Sequence, residues 1–426
     1  MAIFIHMKRL STVILFTIMT GCTYYENESI KYPKPEVPNA TTTLEVSYVT
    51  TSPNKINSSY WKTADYLPVT AQDQITGQVS ADNGLFNTSG TFNGLLDFNL
   101  GEDPKILLKA AYSKDSLYIL VTWKDGRYNA SEGNWFYNGP TDPKKPGSTS
   151  GWTSQQSTDN LSLSFIMGSG KSDIWNWSLA LSEPLGYAID KIDNGSGAIV
   201  DAGNKTYTRN AIGDNRSGPQ FDWNGVQQEL KRKPGGFTIL DPGYYLLNKK
   251  NFSGAVVKGE AIYQVECAGC HGATGDGEGL INPVGIKLNK PGQFNRLTRQ
   301  ALDNFASNTG LHEGAVHYPI TDADREDLFA RLRGFSGIPG YYLQNPSGSN
   351  SDIHAVSNVQ LAKIDGTNSK GYSLLLIRAL NTGNADDIVF NPSIQPAHDF
   401  TISVMDNDVI NRIGSIAKQL TFKPKQ

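Results

Sequence analysis

The chain is poor in cysteine, with only three among its 426 residues. This scarcity excludes a disulfide framework and a zinc site built from four cysteines. A strong excess of one charge is also lacking, because the formal net charge is −3. Nothing in that balance favours a nucleic-acid partner. The function must therefore depend on a few residues with distinctive chemistry.

Two of the cysteines stand together in the run Cys267-Ala268-Gly269-Cys270-His271. Thiols at this spacing share one helical turn and can both bond to the vinyl groups of a haem, while the adjacent imidazole ligates the iron. A zinc half-site and a redox dithiol are the alternatives. Zinc needs a second pair of ligands, and a dithiol would not explain His271. The run predicts one covalent haem c.

The residues on both sides of this run also form a pattern. Gly259 and Tyr263 are four positions apart, so they lie on one face of a helix before the cysteines. A later helix is predicted after Thr321, which can cap it, with acidic residues in its first turn. From about residue 252 to residue 335 the pattern resembles a class I c-type cytochrome. In that family the glycine and tyrosine face packs on the last helix.

The same resemblance implies how the haem iron is ligated. Pro283 stands where the family's proline carbonyl accepts the N–H of the proximal imidazole, here His271, and this bond would strengthen its donation. The family's usual distal methionine is missing, since this segment contains none. His317 stands at that place, with His312 as the other candidate, although a loop histidine is ordinarily a solvated surface residue. We expect a low-potential haem ligated by His271 and His317.

The N-terminus has an apolar stretch, Leu10 to Met19, that follows two basic residues. It is too short to span a bilayer and is typical of a secretory signal. The small residues before Cys22 resemble a bacterial lipobox; an ordinary signal peptide cut nearby is the alternative. The resemblance implies removal of residues 1–21, lipidation of Cys22 and a tether over 22–52. It also implies export to the periplasmic face or cell surface, with the outer membrane favoured.

Two long segments, 53–250 and 337–426, alternate apolar and polar residues and predict strands. Residues 106–110 and 117–123, on either side of a turn, predict a hairpin with one buried face. The expected fold is mainly β, a sandwich- or barrel-like antiparallel domain. Because the two segments can complete one sheet, the all-α cytochrome domain over 251–336 is predicted to be an insertion.

This β-domain contains further short motifs, which are residues 109–125, 175–177 and 386–390. They resemble the haem-binding domain of the ethylbenzene dehydrogenase gamma-subunit type, which is also found beside DMSO-reductase-like molybdenum enzymes. In that family the domain holds a haem b between a methionine and a lysine or histidine. The resemblance therefore implies Met167 as a haem ligand, with Lys418 and His398 as partners by residue type. Core packing is the alternative for Met167, which continues an apolar row.

These features predict an exported, lipid-anchored c-type cytochrome that carries electrons in a respiratory or molybdenum-enzyme-linked chain. Its partners would be redox proteins and the membrane reached through Cys22. Two other functions stay open. The first is a haem enzyme or sensor with an open iron position for peroxide, nitrite or nitric oxide, which requires His317 to be off the iron. The second is a β-domain that captures a ligand, which the fold class alone cannot exclude.

Overall fold

A computed structural model describes part of the chain, and all structural statements refer to that part. The described residues are 42–69, 106–123, 125, 129, 132–137, 152–155, 158–168, 170–212, 219–223, 249–251, 256–280, 287–289, 321–361, 369–405, 412–415 and 417–425. They all belong to one compact unit, Pro38–Gln426. Cys22, Pro283 and His317 lie outside the described residues. No helix in the described ranges is both long enough and apolar enough to cross a membrane.

Strands dominate the described chain, and the helices are few and short. The strands are β1 (Thr43–Tyr48), β2 (Leu67–Val69), β3 (Ile106–Tyr112), β4 (Ser116–Trp123), β5 (Asn134–Tyr137), β6 (Trp152–Gln155), β7 (Asn160–Gly168), β8 (Lys171–Ser178), β9 (Tyr187–Asp193), β10 (Ala198–Val200), β11 (Tyr207–Arg209), β12 (Phe221–Trp223), β13 (Lys249–Asn251), β14 (Tyr341–Leu343), β15 (Ile353–Leu361), β16 (Ser369–Ala379), β17 (Ala397–Met405), β18 (Arg412–Gly414) and β19 (Lys418–Phe422). The helices are α1 (Tyr60–Thr63), α2 (Val256–Glu266), α3 (Ala268–His271) and α4 (Asp322–Ser336). Single 3₁₀ turns lie at Glu183–Leu185 and Ser349–Ser351.

Ten of these strands form a sheet that closes on itself. Their order is β1-β19-β17-β7-β8-β9-β15-β16-β4-β3, and β1 pairs with β3 to complete the ring. Within the described chain, β1 runs parallel to both of its neighbours, and the other strand pairs of this sheet are antiparallel. Closure removes the exposed edges that an open sheet would present. The prediction of a mainly β, barrel-like fold with a helical cytochrome segment is confirmed.

Strands from both sides of α2–α4 belong to this one sheet. β15 pairs with β9, β16 pairs with β4, and β17 pairs with β7. The chain therefore leaves the sheet after β10, which pairs with β9, then forms the helices and returns to the sheet at β15. The domain boundaries at 53–250, 251–336 and 337–426 stay predictions.

The interior of the closed sheet is packed with large apolar side chains at alternate strand positions. On β7, Leu161, Leu163 and Phe165 are all fully buried. The rings of Trp123 and Tyr372 stack with centroids 4.9 Å apart. Each such side chain contributes about 1.5–3 kcal/mol by its burial, so this core accounts for the stability of the sheet.

The hairpin of β3 and β4 is buried on both of its faces, so the prediction of one buried face was wrong. All seven residues of β3 are buried. The outer face is covered because α1 places Trp61 against it, where Trp61 packs with Ala111, Tyr118 and Leu120. The alternation of the sequence is correspondingly weak there, since both faces are apolar.

Helices α2 and α4 cross closely and make the helical core. A Cβ atom on Gly259 would lie 1.9 Å from the carbonyl oxygen of Asp327, so only glycine allows this approach. One turn later, the ring of Tyr263 packs edge-on against Phe335 at 4.9 Å. At the start of α4, Thr321 Oγ1 accepts a hydrogen bond from a backbone N–H in the first turn. The predicted packing of α2 on the last helix and the predicted cap are both confirmed.

The outer side of α4 packs on the hairpin formed by β5 and β6. Ala330 joins Tyr137 and Trp152 in a small apolar cluster. Arg331 is buried, donates from Nη1 to the carbonyl oxygen of Tyr137 at 3.1 Å, and pairs with Glu260 of α2. These contacts fix the helical segment against the strands.

Candidate functional site

The predicted haem-attachment run forms the single helical turn α3. The N–H groups of Cys270 and His271 both donate to the carbonyl oxygen of Cys267, at 3.1 and 3.0 Å. Cys270 is exposed, Cys267 is half-buried and His271 is 8% exposed. One turn therefore exposes the Cys270 residue, leaves Cys267 partly buried and holds the imidazole of His271 inside.

A glycine-rich turn after α3 holds the imidazole in place. Gly272 has φ +80°, and a Cβ there would lie 2.0 Å from Asp276 Oδ1. The N–H of Gly277 donates to the carbonyl oxygen of His271 at 2.8 Å. From α2, the Tyr263 hydroxyl donates to the carbonyl oxygen of Gly272 at 2.7 Å. The backbone of His271 is therefore fixed by its neighbours on both sides.

The chain then passes directly over α3. A Cβ on Gly279 would lie 2.3 Å from the carbonyl oxygen of Gly269, so a larger residue would push the loop away from the cysteines. Leu280 follows directly and is fully exposed. Leu280 thus provides an apolar side chain close in sequence to the thiols. Such a side chain suits contact with the apolar ring of a haem.

The thiol of Cys267 lacks the properties expected in a redox dithiol or a zinc site. Burial, with added effects of Glu266 and Cys270, raises the pKa of Cys267 to about 12. Redox dithiols work through a lowered thiol pKa, and zinc binds the thiolate. Within the described residues, the groups of three potential metal ligands consist of aspartates alone. Two free thiols beside a buried imidazole instead fit covalent haem attachment.

Residues 256–334 match the family model for cytochrome c. This segment is a c-type cytochrome domain, which binds haem c covalently. The match includes α2 and α3 and ends two residues before the end of α4. A search of the curated proteins found no match to the chain.

The structure brings together only some of the predicted site residues. Cys267, Cys270 and His271 form one turn. The distal and supporting positions, Pro283 and His317, lie outside the described residues. Met167 lies elsewhere, near the end of β7, where it is half-buried and packs against the core of the sheet.

The two partners suggested for Met167 are buried in the same sheet. His398 lies on β17 with its ring edge-on to Phe390 at 5.0 Å and to Phe422 at 6.0 Å. Burial lowers the pKa of His398, so its imidazole is neutral at pH 7. Lys418 of β19 is 2% exposed.

The structure contains a second polar centre, around Asp173 and Arg378, that was not predicted from the sequence. On β8, Asp173 occupies the same buried face as Trp175 and Trp177, and on β16 Arg378 continues the buried positions of Leu374 and Leu376. A charged residue at an inward-facing position of an alternating strand is the signal that could have revealed this centre.

Proposed function

We propose that this chain is an exported c-type cytochrome that carries electrons, anchored by lipid at Cys22 and with its haem iron ligated by His271 and His317. The observation that carries the proposal is the single turn that combines two free thiols with a buried imidazole. The bound haem supplies one-electron chemistry. The two thioethers would keep the haem from dissociating, and the buried position of His271 keeps water from its ring.

Ligation by His317 is supported by the sequence between the haem run and the last helix. That segment holds no methionine, and His317 stands where the distal ligand of similar domains is found. A second imidazole closes the iron to small molecules and lowers its potential relative to a thioether. A closed iron suits electron transfer and disfavours the enzyme or sensor function.

The cytochrome domain would exchange electrons with a redox protein through the side that bears α3. β5 and β6 cover part of α4 through Arg331 and its apolar neighbours, and this part would be closed to a partner. Cys270 is exposed, so the haem edge would be open to a partner. The resemblance of the β-domain favours a partner in a respiratory or molybdenum-enzyme-linked chain.

A second haem, of type b, is a separate part of the proposal. Met167 would be one ligand, and neutral His398 or Lys418 would be the other. Haem c stays with the protein after extraction with acidified acetone, whereas haem b is removed. Two haems per chain with one extractable would support this part. One haem per chain, none of it extractable, would contradict it.

The iron coordination is tested with carbon monoxide on the reduced, mature protein. We expect no change in the absorption spectrum of the wild type, because both axial positions are taken. His317→Ala should open one position and produce a carbon monoxide complex. His312→Ala is the matched control and should behave like the wild type.

Other results would redirect the proposal. A carbon monoxide complex in the wild type would favour an enzyme or sensor. A complex in His312→Ala, with none in His317→Ala, would move the distal ligand to His312.

A further inference from the structure

Arg378 of β16 is fully buried and faces four carboxylates. Its Nη1 lies 2.9 Å from Asp173 Oδ2, and its Nη2 lies 2.9 Å from Asp387 Oδ2. Its Nε lies 3.9 Å from Asp190 Oδ2 and 3.8 Å from Asp352 Oδ1. One guanidinium cannot neutralise four negative charges, three of which are fully buried, so this centre needs further positive charge or protons.

In the inner part of the cluster, which consists of Arg378, Asp173 and Asp190, a bound proton removes one negative charge. Burial, followed by the charge of Asp173, raises the pKa of Asp190 far above its usual range. Asp190 is therefore a neutral acid at pH 7. With this proton, Arg378 and Asp173 form a balanced pair, and the charge of Asp387, which Arg378 also contacts, is left over. The pair of Arg378 and Asp173 needs no metal ion.

A proton compensates the outer part of the cluster less completely, because burial and then the charge of Asp386 raise the pKa of Asp201 only to about 7. One carboxylate oxygen from each of Asp201, Asp386 and Asp387 lies within 4.8 Å of the others. Asp201 is 7% exposed, and both of its carboxylate oxygens are buried without a hydrogen-bond donor among the described residues. Asp387 gives Oδ2 to Arg378, but its Oδ1 is also buried and has no donor within the described chain. Leaving such oxygens unpaired costs about 1–3 kcal/mol each, and more when they are charged.

The backbone fixes Asp201 in this position. The segment after it, 202–204, is tied to residues 347–350: the N–H of Asn350 donates to Ala202, and its Nδ2 donates to Asn204 at 2.9 Å. A Cβ on Gly203 would lie 2.0 Å from the carbonyl oxygen of Ser347, so the two segments touch. The carboxylate of Asp201 is held close to those of Asp386 and Asp387 rather than turned into solvent.

The loop that carries Asp386 and Asp387 is equally well held. Asp387 Oδ2 accepts from Thr382 Oγ1 and from Asn384 Nδ2, the latter at 3.1 Å. Asp386 Oδ1 accepts from Ser349 Oγ at 3.3 Å. The oxygens that remain free on Asp201 and Asp387 therefore converge from two rigid segments that are far apart in sequence.

We propose that Asp201, Asp386 and Asp387 bind a Ca²⁺ ion, which ties the 201–204 segment to the 381–387 loop. The donor set consists of oxygens alone, which hard cations prefer. Ca²⁺ accepts six to eight oxygens with variable geometry, whereas Mg²⁺ demands a small, regular octahedron and keeps its waters. Three carboxylates from two segments suit the larger ion. This site is independent of the haem proposal, because it lies wholly in the β-domain.

The site is tested on the full, haem-loaded protein after treatment with EGTA and removal of the chelator. Calorimetric titration with CaCl₂ should show one ion bound per chain, and MgCl₂ should bind more weakly. Adding Ca²⁺ should raise the thermal midpoint, because a ligand that binds only the folded state stabilises it. Asp201→Asn should weaken Ca²⁺ binding roughly tenfold or more and abolish the rise in midpoint. Asp399→Asn is the control, since Asp399 is exposed and bonded only to Gln419 within the described chain.

Three results would overturn the proposal: no Ca²⁺ binding by the wild type, equal binding of Mg²⁺, or unchanged Ca²⁺ binding in Asp201→Asn. If Asp201→Asn fails to fold, Asp386→Asn replaces it, because Asp386 is only half-buried. Unchanged binding in Asp386→Asn would equally contradict the site. The haem spectrum should stay the same in every variant.

Discussion

The two polar centres of this molecule are built in opposite ways. In the cytochrome domain, the reactive groups Cys267, Cys270 and His271 share one turn, and Cys270 is exposed. In the β-domain, Arg378 and its carboxylates come from distant segments and are buried in the interior. The first centre is defined by local geometry and is completed by a cofactor, whereas the second depends on the whole sheet being closed.

This difference determines which changes the haem-attachment turn and the buried ion pair can each tolerate. Covalent attachment needs only the thiols and an approach for the haem, so the surroundings of α3 can be open. A buried ion pair, in contrast, offsets its desolvation cost only when its geometry is good and its remaining atoms are paired. Arg378 meets the first part of this condition through two contacts of 2.9 Å, whereas Asp387 Oδ1 has no donor within the described chain. A change in the first centre should therefore affect the cofactor, and a change in the second should affect the fold.

The largest effect should come from removing both thiols of the cytochrome domain. In the double variant Cys267→Ala/Cys270→Ala, no thioether can form, and we expect complete loss of covalent haem. The β-domain should keep its structure, because its core shares no residue with α3. A haem-stained denaturing gel measures attachment, and far-UV circular dichroism measures the strands.

The two single variants are the controls for this experiment. Each keeps one thiol and should still carry some covalent haem. Haem staining of the double variant at the wild-type level would show that these thiols are not the attachment points. Loss of the strand signal would show instead that the two domains fold as one.

The second effect is a loss of stability on replacing Arg378 with methionine. Arg378→Met keeps most of the apolar stem but leaves Asp173 and Asp387 without their cation. We expect a loss of about 3–5 kcal/mol in the free energy of unfolding, measured by urea denaturation. The haem spectrum of the native protein should not change.

Arg325→Met is the matched control. Arg325 pairs at 3.5 Å with Asp322, whose side chain is 99% exposed, and such surface pairs contribute about 0–1 kcal/mol. Equal urea midpoints for the two variants would mean that the buried carboxylates are protonated and that Arg378 balances no charge.

The cytochrome site could be predicted from the sequence because its chemistry lies in consecutive residues. Cys267, Cys270 and His271 define their own spacing, and a single helical turn brings them together wherever it lies in the fold. Thr321 was likewise recognisable as a cap from its own neighbours. The position of Gly259 could be predicted because helix periodicity relates it to Tyr263.

The closed sheet and the acidic cluster could not be predicted in the same way. The alternation of apolar and polar residues predicted β7 and β8. No feature of the sequence near β1 or β3 indicates that these two strands pair and close the ring. The hairpin of β3 and β4 was assigned one buried face, because the cover provided by Trp61 comes from another segment. Asp173 and Arg378 meet only because the sheet brings β8 and β16 to the same interior, so their pairing depends on tertiary structure.

A smaller effect should follow from separating α2 and α4 at Gly259. In Gly259→Val, the new side chain must displace the backbone of Asp327, since even a Cβ would lie 1.9 Å from its carbonyl oxygen. Overpacking of this kind costs about 1–3 kcal/mol, so we expect the haem absorbance to melt at lower temperature while the strand signal melts as in the wild type. Valine has a better helix propensity than glycine, so propensity cannot explain a loss at this position. Ala261→Val, on an exposed position of the same helix, controls for adding a β-branched side chain where there is no contact with α4 to break. If Gly259→Val lowered both transitions together, the contact of α4 with β5 and β6 would be strong enough to couple the two domains. The cytochrome domain and the β-domain, although built differently, would then unfold together.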